Sequence, residues 1–174
     1  MSGLRSNHDA ATFASVAKQM LVLDQTSEVI MIYIRKMTES DIPEVAKLET
    51  EVFTDPWSEK VYRETFLLQG VEYVVACDDN NIVGAAGVRN IAGTGEITNV
   101  MVRSGYRGNG IGRRMLEELL ERGRKLGATE FTLEVRVGNE PAIRLYESLG
   151  FVCEGVRPGF YNNPKEDAAI YWLH

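Results

Sequence analysis

Val102-Arg103-Ser104-Gly105-Tyr106-Arg107-Gly108-Asn109-Gly110-Ile111-Gly112-Arg113-Arg114 is the stretch from which the fold can be read. The strand pattern Glu96–Val102 runs into it and a helix pattern runs out. Met115, Leu116, Leu119, Leu120 and Leu126 form the helix's apolar stripe, and Gly127 marks its end. Glycines let backbone N–H groups turn toward one point, and a helix N-terminus adds positive potential there. Together they make a place for phosphate oxygens, which Arg107, Arg113 and Arg114 reinforce. A P-loop requires G-x-x-x-x-G-K-S/T, and no Lys-Ser or Lys-Thr follows. A dinucleotide fingerprint requires G-x-G-x-x-G, whereas Arg113 stands where the last glycine belongs. A plain strand-to-helix turn is the competing reading of the loop taken alone.

Outward from this loop the chain alternates between strand and helix patterns. Downstream, Glu130–Arg136 reads as a strand, Glu140–Leu149 as a helix, and Val152–Val156 and Ala168–Leu173 as closing strands. Between those two, Arg157-Pro158-Gly159-Phe160-Tyr161-Asn162-Asn163-Pro164 reads as a loop. Upstream, Met31 opens the strand Ile32-Tyr33-Ile34-Arg35. Thr38-Glu39-Ser40-Asp41 is rich in capping residues, and Ile42, Val45, Ala46, Glu49 and Val52 follow at helical spacing. Pro56-Trp57-Ser58 breaks the chain, with Ser58 placed to cap a helix through about Leu68. Tyr73–Cys77 and Ile82–Val88 are strands joined by a turn, and Gly93-Thr94-Gly95 is a second turn. The pattern is a mixed α/β single domain, with hairpins first and crossover helices later. Residues 1–30 stand apart as an N-terminal extension to a domain of residues 31–174. Within them Phe13, Val16, Ala17 and Met20 fall at the spacing of a short amphipathic helix.

Composition narrows the function. At 174 residues, 44% hydrophobic and 25% charged, the chain has the balance of a single globular domain with its own core. A net charge of -6 argues against a nucleic-acid binder and fits a cationic partner. The charge is uneven: residues 31–100 hold 6 basic and 12 acidic side chains, residues 101–150 hold 9 basic and 7 acidic. An anion belongs with the second stretch and a cation with the first, unless both are ordinary solvated surface. No apolar run approaches the ~18 residues of a membrane helix, and no signal peptide is evident. Cys77 and Cys153 lie far apart and His8 and His174 lie at the chain ends, so neither a disulfide framework nor a metal centre is expected. A reducing cytoplasm is the expected compartment.

Arg107-Gly108-Asn109-Gly110-Ile111-Gly112 resembles the R/Q-x-x-G-x-G/A loop with which the GNAT N-acetyltransferases grip the pyrophosphate of acetyl-coenzyme A. Pro56-Trp57-Ser58, Leu133-Glu134-Val135-Arg136, Asn139, Leu145-Tyr146-Glu147-Ser148-Leu149-Gly150-Phe151, Tyr161 and Glu166-Asp167-Ala168 resemble one branch of that family, the ribosomal-protein-alanine N-acetyltransferases. The likeness runs from about Met31 to the end of the chain. It implies a mixed, mostly antiparallel twisted sheet flanked by helices, with a splayed central strand pair holding acetyl-coenzyme A. It also implies acetylation of a protein's N-terminal α-amine, namely the alanine of protein eighteen of the small ribosomal subunit. The implied partner is therefore a basic ribosomal protein, without direct contact to nucleic acid or membrane.

The resemblance also implies roles. Val100, Met101 and Val102 hold the acetyl-pantetheine arm through strand-edge backbone groups; Arg107, Gly108, Asn109, Gly110, Ile111, Gly112 and Arg113 hold the pyrophosphate; Asn139 meets the coenzyme at the start of the next helix. Glu134 is the general base, Tyr146 the general acid for the departing thiolate, and Trp57 and Tyr161 meet the peptide. Read without the resemblance, Glu134 is a solvent-facing strand carboxylate and Tyr146 a core aromatic sharing a helix face with Ala142, Ile143 and Leu149. Tyr161 is then an exposed loop residue. A lysine or small-amine acetyltransferase and a non-catalytic acyl-coenzyme A binding module are the alternative functions.

Overall fold

The computed structural model describes residues 18–23, 29–79 and 81–174. In chain order the elements are β1 (Lys18–Leu23), β2 (Val29–Lys36), α1 (Ile42–Val52), α2 (Glu59–Phe66), β3 (Val71–Asp78), β4 (Asn81–Ile91), β5 (Thr94–Val102), α3 (Ile111–Lys125), β6 (Glu130–Arg136), α4 (Glu140–Ser148), β7 (Val152–Asn162) and β8 (Lys165–Leu173). The strands form one eight-stranded sheet in the order β1-β2-β3-β4-β5-β6-β8-β7. Every neighbouring pair is antiparallel except β5 and β6.

Period-two alternation along β3 sends residues to two cores, one on each face of the sheet. Val74 and Ala76 join Met115, Leu116 and Leu119 of α3 on one face, while Tyr73, Val75 and Cys77 join Ile42, Val45 and Leu48 of α1 on the other. The helix starts follow the sequence. Asp41 Oδ2 accepts the Thr38 N–H (2.7 Å) in a short 3₁₀ turn before α1, and Ser58 Oγ accepts the Val61 N–H (3.3 Å) at the head of α2. Gly123 in the last turn of α3 has a packing reason: a Cβ there would stand 2.5 Å from the Phe131 ring.

Two features of β5 shape the functional region. It pairs with β6 only over Thr94–Glu96 against Glu130–Thr132, and beyond those residues the strands part. Ala86 pairs with Val100 but Val88 pairs with Ile97, so β5 carries one extra residue opposite Gly87. Such a bulge re-aims side chains. Ile97 and Val100 both turn to the α3 face, while Met101 joins the α1 face and Asn99 bonds Glu49 of α1.

Two expectations from sequence are corrected. Residues 157–162 are strand, not loop: β7 runs through Pro158 and Gly159 to Asn162, so Tyr161 lies in a hairpin strand. β7 is an edge strand, where a proline removes no needed ladder bond, and the turn residues are absorbed by a register shift between Arg157 and Tyr161. Upstream, Met20 lies in β1 rather than in a helix, and β1 pairs antiparallel with β2. Phe13, Val16 and Ala17 lie outside the described residues.

Val22 of β1 is 6% exposed and belongs to the α3-side core. A chain beginning at Met31 loses that side chain, the first two residues of β2, of which Ile30 packs against the same core, and the pairing of β2's outer edge. Burial of one valine is worth ~1.5–3 kcal/mol, and in a chain of this length each kcal/mol shifts the melting temperature by about 2–4 °C. The truncated protein should therefore fold and acetylate at nearly the full-length rate, because β5 and β6 lie well across the sheet. It should melt several degrees lower. An unchanged melting curve would show that β1 contributes nothing.

Candidate active site

Where β5 and β6 separate, the sheet opens into a cleft of ≈ 1650 Å³. That exceeds the ~300–1,000 Å³ of an ordinary small-molecule pocket, as suits a long ligand meeting a second one. Val100, Met101 and Val102 form its β5 wall, and Thr132, Glu134 and Arg136 lie along its β6 wall. Only Thr132 of these β6 residues is paired with β5, so the cleft-facing backbone of Ile97–Val102 is not consumed by a neighbouring strand.

The glycine loop sits at the mouth of this cleft. Gly108 (φ 80°) and Gly110 (φ 75°) occupy left-handed backbone that glycine adopts without strain, and a Cβ at Gly108 would meet nothing within 4 Å. The first backbone bond of α3 runs from Arg114 N–H to Gly110 O (3.2 Å), which leaves the preceding N–H groups without helical acceptors. The loop is thus a cradle with open space above exposed donors, and it fits a pyrophosphate. Its side chains contribute less than the sequence suggested. Arg113 is turned to α4, donating to Ser148 Oγ (2.7 Å) and O (3.1 Å), and Arg107 Nε donates to Val102 O (2.8 Å). Asn109 Nδ2 braces the loop on Tyr106 O (3.3 Å), and Asn139 Oδ1 caps α4 on the Ala142 N–H (3.3 Å). Asn139 lines the cleft; Asn109 is not among its lining residues.

Glu134, Tyr146, Tyr161 and Trp57 all line the same cleft. Alternation along β6 buries Phe131, Leu133 and Val135 and leaves Glu134 on the cleft side. Deep burial is not what equips this carboxylate: its side chain is 30% exposed, and Arg157 Nη1 lies 2.7 Å from Oε1. Tyr146 is 7% exposed, packed edge-on against Phe151. Burial pushes its phenol well above the usual tyrosine range, with a smaller push from Tyr161, so it stays protonated at neutral pH. Core residue and cleft residue are both correct descriptions of it. Tyr161 donates to the Glu134 carbonyl (3.4 Å), and the Arg136 guanidinium stacks 4.1 Å from its ring centroid. Burial, and next the Glu134 charge, push the Tyr161 phenol up.

Sequence reading missed Glu49, Asn99 and Arg157. Glu49 and Asn99 are the buried polar side chains among the described residues, 2% and 7% exposed, and both line the cleft. The available signal was Glu49's place on the apolar face of α1, in register with Ile42, Val45 and Ala46. Among the described residues no helix is long and apolar enough to cross a membrane, and no group of His, Cys, Asp and Glu gathers to hold a metal ion.

A profile of the Acetyltransferase (GNAT) family matches residues 42–151. The ribosomal protein bS18-alanine N-acetyltransferase of Escherichia coli (strain K12) is 32% identical over 144 residues, covering 80% of this chain and 95% of that protein. The N-alpha-acetyltransferase RimI of Mycobacterium tuberculosis is 34% identical over 149 residues, covering 82% and 92%. The crystal structure of the ribosomal-protein-S18-alanine N-acetyltransferase from Escherichia coli superposes with a TM-score of 0.75 at 30% identity, covering 82% of this chain and 93% of that one.

Proposed function

The chain belongs to the GNAT acetyltransferase family, and from that premise we propose that it moves the acetyl group of acetyl-coenzyme A to a protein's N-terminal α-amine, the N-terminal alanine of ribosomal protein bS18 being its substrate. The observation that carries the substrate is the likeness to the Escherichia coli enzyme of that name over four-fifths of this chain and nearly all of the other. The protein itself is the partner, without direct contact to nucleic acid, and the reaction belongs to the cytoplasm. Residues 31–174 hold every group the chemistry uses.

The backbone N–H groups from Gly108 to Arg113 hold the pyrophosphate, with the positive end of α3 behind them. The acetyl-pantetheine arm lies along the unpaired edge of β5 at Val100–Val102, where a backbone N–H faces the oxygen that becomes negative as the amine adds. Glu134 removes a proton from the amine, directly or through one water, as the nitrogen attacks the thioester carbonyl. The tetrahedral adduct then expels the thiolate. Tyr146, held neutral by burial, supplies a phenolic proton or hydrogen bond to the departing sulfur. Trp57 and Tyr161 border the space left for the peptide.

An α-amine has pKa ~7.7–8.0 against ~10.4 for lysine, a difference of about 3.4 kcal/mol in deprotonation. A carboxylate base therefore manages the first far more readily. The acidic balance of residues 31–100 favours cationic peptides, with an association rate that falls as salt rises. The test uses alanine-starting peptides with free or blocked N-termini, each with basic or acidic downstream residues, and locates the acetyl group by mass spectrometry. Acetylation should fall on the free α-amine of the basic peptide. Efficient lysine modification on blocked peptides, or preference for the acidic series, would sink this assignment.

A further inference from the structure

Glu49 Oε1 accepts from Asn99 Nδ2 (3.0 Å) and from the Trp57 backbone N–H (3.3 Å), and Oε2 accepts from the Tyr62 hydroxyl (2.5 Å). Burial raises the pKa of the carboxyl, and these donors oppose the rise only in part. Oε1 accepts from the Trp57 N–H and the Asn99 NH₂ together, so the Asn99 amide turns its NH₂ toward Glu49 and presents Oδ1 the other way. Oδ1 is buried and has no hydrogen-bond partner in the protein. A buried acceptor left unpaired is costly. This one belongs to a residue that the β5 bulge re-aims and that lines the cleft beside Glu49 and Trp57. The cleft's expected visitor is an amine.

We propose that Asn99 Oδ1 binds substrate, accepting a hydrogen bond from an N–H of the peptide's first residue, and that Glu49 is the positioning residue fixing the amide for it. This rests on the N-terminal acetyltransfer reading. An N–H directed at Oδ1 leaves the nitrogen lone pair free to face the thioester. Glu49 also anchors the Trp57 backbone just ahead of α2, so one buried carboxylate sets both the acceptor and the lip of the peptide side.

The experiment uses the full chain. Peptide KM and kcat are measured with a basic, alanine-starting peptide at saturating acetyl-coenzyme A, and acetyl-coenzyme A affinity is measured separately by calorimetry. Asn99→Leu should raise the peptide KM by about tenfold or more, as expected when a site loses its hydrogen bond to substrate, while coenzyme affinity holds. Glu49→Gln frees the Asn99 amide to flip and should also raise the peptide KM. The double variant should be no worse than Asn99→Leu alone, because both changes remove the same contact. If Asn99→Leu does not fold, Asn99→Ala replaces it with the same expectation. An unchanged peptide KM in a folded Asn99 variant, beside an active unmodified protein, overturns the Asn99 assignment alone. Additive KM losses overturn the positioning role of Glu49. Failure of the unmodified protein on every free N-terminus overturns this inference together with the function beneath it.

Discussion

Gly110→Asp should abolish acetyl-coenzyme A binding, with a loss of at least ~100-fold in Kd, or about 2.7 kcal/mol. Gly110 is the residue before α3 and holds φ 75°, where a side chain is strained by ~1–2 kcal/mol. The larger effect is electrostatic. A carboxylate at this point lies among the free N–H groups of the first turn, at the positive end of the helix dipole, where the pyrophosphate charge is expected. It competes for those donors and repels the ligand. Because a carboxylate is welcome at a helix N-terminus and offsets part of that strain, the fold should survive, and a cooperative melt lowered by only a few degrees will show it. Gly110→Ala adds similar backbone strain without the charge and should retain measurable binding. Calorimetric titration of all three proteins separates the terms, and unaltered affinity in Gly110→Asp would place the pyrophosphate elsewhere.

What was legible in the chain was whatever depends on local periodicity and local chemistry. The apolar stripe of α3, the alternation of Phe131, Leu133 and Val135 against Glu134, and the Ser58 cap all appear where residue spacing places them. The parting of β5 from β6 is a property of pairing between distant segments, and only the family likeness carried it. Tyr161 shows the opposite failure. Asn163 and Pro164 do make the turn that their preferences mark, yet an edge strand tolerates Pro158, Gly159 and Asn162, and there pairing with β8 overrode the local signal. Arg157 was invisible as a site residue because its partner Glu134 lies on β6, with β8 between the two strands in the sheet. Glu49 was visible but unread: a carboxylate in an apolar stripe announces a buried network, and its partners Tyr62 and Asn99 come from two other elements.

Glu134→Gln and Tyr146→Phe should each lower turnover by at least about tenfold, within the ~10²–10⁴-fold that general acid–base groups contribute, with little change in coenzyme affinity. Structure makes both substitutions clean. Glu134→Gln gives up an ion pair with an Arg157 that is 54% exposed, and solvent takes over most of that interaction. Tyr146→Phe keeps the ring packed against Phe151, whose centroid lies 6.0 Å away, and removes only the hydroxyl. Melting temperatures should therefore hold while kcat falls. The pH profiles then tell base from acid. A peptide α-amine with pKa ~7.7–8.0 loses its proton to bulk water as the pH rises past that value. Glu134→Gln should accordingly recover part of its rate between about pH 7 and 9, relative to the unmodified enzyme. Tyr146→Phe should not, since the sulfur still leaves without its donor. A Glu134→Gln profile parallel to that of the unmodified enzyme would remove Glu134 as the base, and rates near normal in both variants would remove the pair from the mechanism.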